Sequence, residues 1–139
     1  MVKCFISKCP HCGMSMNCPP YAPLPEEMRR MLKEYQQGVF IRLIIPIDQI
    51  SGERAVKENR MAPCRKRLNE IVSTLESQAF YDGYPLAMGF EAGPCKRAFC
   101  PDEDFSALIR GKGCRHPLRG RPSMESAGMN VYAMAARAG

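Results

Sequence analysis

The chain has 139 residues, of which 45% are hydrophobic, 24% charged and 8% aromatic, with no Trp and a formal net charge of +6. That is one domain's worth of chain, able to bury about two-thirds of its unfolded surface, and the composition excludes a disordered polypeptide. The longest apolar stretch, Val39 to Ile47, is interrupted by Arg42 and Pro46 and falls short of the ~20 residues a membrane span needs, so no membrane association is expected.

Residues 1–23 carry four Cys and several Pro-containing turns without apolar periodicity, which predicts a cysteine-rich arm. The N-terminus lacks the apolar segment and small-residue cleavage site of a secretory signal, so a cytoplasmic location is expected. From Pro25, Glu26 and Glu27 sit where a helix start favours negative charge, Met28, Met31, Leu32 and Tyr35 follow helical spacing, and Gly38 is the expected stop. Val39 to Ile47 alternates with period two and predicts a strand.

Beyond Pro63, Cys64, Leu68, Ile71, Val72, Leu75 and Ala79 form one helical stripe ended by Asp82-Gly83. Leu86 to Glu91 then reads as a second strand. Strand, helix, strand predicts an α/β fold: a small parallel-crossover sheet with flanking helices and two cysteine-rich loops. Two strands are too few to stand alone, so the sheet is expected to be extended by Val2 to Ile6 or by a second subunit in a homodimer. Residues 93–122 form a second cysteine-rich loop starting at a strand's carboxyl end, where open α/β sheets place ligands. Ser123 and Asn130 are expected to cap two short C-terminal helices. The organisation is thus one domain over 1–139: arm 1–23, α/β core 24–92, basic cysteine loop 93–122 and C-terminal helices 123–139.

A reducing compartment disfavours disulfides, so eight cysteines point to metal or redox chemistry. Cys4, Cys9, Cys12 and Cys18 are spaced C-x4-C-x2-C-x5-C; Cys95, Cys100 and Cys114 form a second set; Cys64 stands alone on the apolar stripe and reads as a packing residue. Thiolates bind zinc and iron-sulfur clusters, and short spacings let one loop present several sulfurs to one centre. Cys9-Pro10-His11-Cys12-Gly13 resembles half of a zinc ribbon, but a second C-x2-C is missing. Cys9, Cys18 and Cys100 each precede Pro, a pairing found after ligands in bacterial cluster loops, which tilts the reading toward iron and sulfur.

Seven basic residues, Lys96, Arg97, Arg110, Lys112, Arg115, Arg119 and Arg121, face three acidic ones in the second loop, so it holds four of the chain's six net positive charges. Such charge stabilises an anionic metal-thiolate complex or makes a solvated basic face. His116, two residues after Cys114, can serve as a fourth ligand or as a hydrogen-bonding residue. No Ser-His-Asp order, no paired carboxylates on one helix face and no Gly-rich phosphate loop is visible.

The segments Cys18-Pro19-Pro20-Tyr21-Ala22-Pro23, Phe80-Tyr81-Asp82-Gly83-Tyr84, Ala92-Gly93-Pro94-Cys95, Cys114-Arg115-His116-Pro117 and Arg121-Pro122-Ser123-Met124-Glu125-Ser126-Ala127-Gly128 together resemble the signatures of an uncharacterised prokaryotic family of predicted metal-binding proteins. The resemblance implies a cysteine-based metal site with Cys9, Cys18, Cys95, Cys100 and Cys114 as ligands and Cys4 close to the family's first cysteine. With Cys12 from the arm, the candidate ligand set is Cys4, Cys9, Cys12, Cys18, Cys95, Cys100 and Cys114.

The leading expectation is an iron-sulfur (4Fe-4S) protein that passes electrons to a redox partner protein or supports a redox or cofactor-assembling system. One alternative is a zinc-stabilised module whose basic loop contacts an acidic partner or nucleic acid, although only Phe99 and Phe105 interleave with its charges, thin support for base stacking. The other is a metal-dependent enzyme in which Arg115, His116 and Arg121 hold an anionic substrate.

Overall fold

The computed structural model describes residues 2–6 and 9–139. In chain order its helices are α1 (Val2–Phe5), α2 (Pro25–Leu32), α3 (Ile47–Ile50), α4 (Glu53–Lys57), α5 (Ala62–Tyr81), α6 (Lys96–Phe99) and α7 (Val131–Arg137), with a 3-10 turn at Pro117–Arg119. Among the described residues no helix is long and apolar enough to cross a membrane.

Helix α5 is the scaffold. It starts where Pro63 is tolerated in a first turn and runs for 20 residues to Tyr81, after which the backbone N–H of Asp82 closes the last turn onto Gln78 and Phe80. Its buried residues are Asn69 and Val72. Cys64, expected on a buried stripe, is only half-buried. Helix α2 begins at Pro25, with the Glu27 carboxylate accepting from the backbone N–H of Leu24 at 2.9 Å. It ends at Leu32, short of Gly38, and buries Met28.

The expected α/β fold with a parallel sheet is not formed. Among the described residues there is no strand, and the sole bridge pairs Glu91 with Ser123 in parallel. Val39–Pro46 lies outside any regular element with Val39 and Ile44 exposed, and the Val2 to Ile6 segment, expected as an edge strand, is helical over Val2–Phe5. The second expected strand finds other partners for its polar groups. Tyr35 Oη donates to the Leu86 carbonyl at 2.7 Å, Gly89 N–H donates to Glu76 Oε1 at 2.5 Å, Glu91 N–H donates to the Pro122 carbonyl at 3.0 Å, and Met124 N–H donates to the Glu91 carbonyl at 2.9 Å. A backbone satisfied in this way has no ladder left to offer Val39–Ile47. Without a sheet, the expectation that a second subunit extends one has no structural basis.

The buried centre lies where the arm (Ser15, Cys18, Ala22), α5 (Asn69, Val72), α6 (Lys96, Ala98) and the turn Ser123–Ala127 converge. That segment is a turn and not the expected short helix, although Ser123 Oγ does make the capping bond, accepting from Ser126 N–H at 3.1 Å; Gly128, at φ +85, abuts Pro25 so closely that a Cβ there would stand 3.0 Å from the proline ring. Asn130 does cap α7, its side chain accepting from Ala133 N–H at 3.1 Å.

Candidate metal centre

The arm folds by consecutive tight turns. Cys9 N–H donates to the Cys4 carbonyl at 3.2 Å, Cys12 N–H to Cys9 at 3.0 Å, and Cys18 N–H to Ser15 at 2.9 Å; Gly13 supplies a positive φ of 78° between the second and third. Turns of this kind bring successive sulfurs to one side of a loop. The electrostatic neighbourhood reflects this. Burial pushes the Cys18 thiol up to about 12, and Cys4, Cys9, Cys95 and Cys12 add to the shift. Cys4 is raised as well, by burial first, with the N-terminus opposing and Cys9 and Cys12 reinforcing.

The second set is built by α6 and the loop after it. Cys95 precedes α6, Cys100 follows it, and Cys114 returns to the same cavity of about 280 Å³. All three thiols line that cavity together with Asn17, Lys96, Arg115, His116 and Arg119. Burial raises the Cys95 thiol, while hydrogen bonds from Asn17 and Ser15 pull it back. Cys100 is raised by burial and by Cys95 and Cys114, with Arg115 opposing. The arm and loop are stitched together by Asn17 Nδ2 donating to Cys95 Sγ at 3.3 Å and by Ser106 N–H donating to the Met14 carbonyl at 2.9 Å.

Cys18 therefore lies within electrostatic reach of Cys95 as well as of the other arm thiols, whereas Cys64, in the first turn of α5, is not among the groups acting on Cys4, Cys18 or Cys100. Among the described residues, no three His, Cys, Asp or Glu side chains are already drawn together around a single ion position. The donor chemistry nonetheless fits a thiophilic metal: seven thiols in two adjacent sets, most of them half-buried, none in a disulfide. Their protons must leave when metal binds.

His116 sits with its ring 5.7 Å from Phe99 and its backbone N–H donating to Cys114 Sγ at 3.4 Å, so it supports the cysteine whether or not its imidazole becomes a ligand. Part of the loop's positive charge is neutralised locally: Arg115 pairs with Glu103 at 2.6 Å, and Arg121 pairs with Glu76 of α5.

Sequence reasoning did not find Asn17 and Ser15, which bond a thiol far along the chain, nor the buried polar group beneath the second set. There Asn69, fully buried, donates to the Glu91 carboxylate and, at 3.0 Å, to the Arg119 carbonyl, and accepts from Arg119 Nη1 at 3.2 Å. Burial raises the Glu91 carboxyl to about 7, with Asn69 and Arg121 opposing. The position of Glu91 four residues before Cys95 was the only available signal.

No curated protein and no solved structure is detectably similar to this chain. A family model spanning residues 1–139 does match, and the chain belongs to that family, DUF2284, described as predicted metal-binding proteins.

Proposed function

We propose that the protein is a cysteine-ligated iron-sulfur protein of the 4Fe-4S type, serving electron transfer to a redox partner protein or the support of a redox or cofactor system. The observation that carries this reading is the convergence of Cys95, Cys100 and Cys114, separated by up to 19 positions of sequence, on one cavity of about 280 Å³. A cluster supplies one-electron chemistry at a potential set by the charges and hydrogen bonds around its sulfurs. The chain's own contribution is to hold the thiols, to hydrogen-bond Cys95 through Asn17, and to surround the loop with Lys96, Arg115 and Arg119.

Two sites are favoured. The four arm thiols make one set, and the three loop thiols make another completed by His116 or an external ligand; leaving the arm thiols unused would expose reactive cysteines. Metal per chain after anaerobic purification tests this. Brown protein with about eight irons supports two 4Fe-4S clusters, and about four supports one shared set in which Cys18 or Cys9 joins the loop thiols. Colourless protein with stoichiometric zinc and less than one iron per chain would reject the iron-sulfur reading, because zinc has a filled d shell.

A further inference from the structure

The arginines around the second cysteine set are not equally free. Arg115 is tied to Glu103 at 2.6 Å and Arg121 to Glu76, so two of the residues expected to hold an anion are already neutralised. Arg119 is different. It ends the 3-10 turn Pro117–Arg119 and lines the cavity of about 280 Å³ together with Cys95, Cys100 and Cys114. Among the described residues it pairs with no carboxylate. Fully buried Asn69 holds it at two points: the side-chain oxygen of Asn69 accepts from Arg119 Nη1 at 3.2 Å, and Asn69 Nδ2 donates to the Arg119 backbone carbonyl at 3.0 Å. Nη1 is thereby used, and among the described residues the edge formed by Nε and Nη2 has no hydrogen-bond partner. A second polar group of the same lining is also unmet, since Ser106 Oγ is buried without a partner.

A guanidinium fixed through one nitrogen keeps two parallel N–H groups, the fork with which arginine recognises a carboxylate. An orphaned hydroxyl costs free energy in the free chain, and a rotation about one bond is all that a serine needs to offer it to a ligand. The thiols lead to the same ligand. They supply three of the four positions of a tetrahedral centre, and the exposed His116 ring is instead packed 5.7 Å from Phe99. Much of the remaining lining, including Phe99, Ala107 and Leu108, is apolar and suits a short carbon skeleton. At about 280 Å³ the cavity lies at the small end of ligand pockets, which fits a small molecule and not a nucleotide or a peptide.

We propose that the second cysteine set is an open site for a small carboxylate, held by the free Nε–Nη2 edge of Arg119 as the external ligand beside Cys95, Cys100 and Cys114. This rests on the reading of the three loop thiols as metal ligands, and it holds for zinc and for a cluster alike, since either is left one protein ligand short. Asn69 is a positioning residue that acts through Arg119.

Propionate is the probe, with propionamide as its uncharged shape match and inorganic phosphate as the competing oxyanion. Metal-loaded full-length wild type, Arg119→Met and Arg119→Lys are titrated with each, and affinity is read from the ligand-dependent rise in thermal midpoint. Propionate should raise the wild-type midpoint and propionamide should not. Arg119→Met should weaken propionate about tenfold or more, and Arg119→Lys, which keeps the charge but loses the fork, should restore only part of the affinity. An equal response to propionate and propionamide, or wild-type affinity in Arg119→Met, overturns the proposal. If Arg119→Met does not fold, Arg119→Lys is read in its place, and wild-type affinity there overturns the proposal too. So does phosphate binding tighter than propionate through Arg119, which would give the site to an inorganic oxyanion. Loss of metal from His116→Ala, unrestored by propionate, would give the fourth position to His116 with the same consequence. Metal analysis of the same wild-type sample separates the layers: a chain that takes up no metal removes the ligand reading of the thiols and this proposal with it, whereas a loaded chain indifferent to propionate removes only the carboxylate site.

Discussion

The side-chain amide of Asn17 donates to the sulfur of Cys95 at 3.3 Å across 78 positions of sequence. One arm residue thereby fixes the orientation of a loop thiol and stabilises its anionic form. Partners of this kind around a metal ligand commonly contribute 10–100-fold in affinity. Asn17→Ala should therefore lower metal retention by about tenfold in a chelator competition while leaving the helical circular dichroism unchanged. Retention equal to wild type would show that the hydrogen bond does not orient Cys95.

What could be read from sequence were the local instructions. The stripe beyond Pro63 and the Asp82-Gly83 stop delimit α5, and Asn130 caps α7 as its residue type predicts. Pro25 starts α2 as expected, but past Leu32 only Tyr35 is apolar, and its hydroxyl is engaged with Leu86, so the helix ends before Gly38. The alternation of Val39–Ile47 misled because period two reports a half-buried chain and not its pairing; the partner segment spends its donors and acceptors on Glu76, Tyr35, Pro122 and Met124. The grouping of Cys95, Cys100 and Cys114 was legible from spacing, and the three do line one cavity. Asn17 and Glu91 were not, since their roles come from contacts between distant segments.

Cys64 provides an internal control for the thiol assignment. It is half-buried on α5 and is absent from the groups acting on the arm and loop cysteines. Cys64→Ala should cost about 1 kcal/mol of stability and leave metal content per chain unchanged. Cys95→Ala, Cys100→Ala and Cys114→Ala should each lower it, because an open coordination position exposes the centre to loss. Metal analysis of the four purified variants checks both halves, and loss of metal in Cys64→Ala would assign it a ligand role.

Gly89 passes so close to α5 that a Cβ there would fall on Val72 Cγ1 and on the Glu76 carboxylate. Glu76 is also the partner of Arg121, Nε donating at 2.9 Å, so the glycine guards the junction between α5 and the second cysteine loop. Gly89→Ala should destabilise by about 1–3 kcal/mol, as overpacking does. Gly38→Ala, where nothing lies within 4 Å of the added carbon, should stay within about 0.5 kcal/mol of wild type. Urea denaturation of the two variants makes the comparison, and equal midpoints would refute the close approach.

Glu91 sets a pH dependence whose sign follows from its surroundings. The residue is 4% exposed and its carboxylate receives Asn69, while Arg121 is committed to Glu76 and Arg119 to Asn69. Among the described residues no cation makes a direct ion pair with it, and burial dominates, raising the group from 4.5 to about 7. Between those values the folded chain holds a proton that the unfolded chain has lost. The stabilisation is therefore complete below about 4.5 and disappears as pH rises through about 7. Glu91→Gln mimics the protonated state and removes the dependence. Relative to wild type, the variant should gain stability from pH 5 to pH 8, on the order of 2 kcal/mol after allowing for solvent screening. Thermal melts of both proteins at each pH, with metal content matched, cancel the opposite trend from thiol deprotonation. Parallel curves would show that Glu91 is ionised in the folded protein across the whole range.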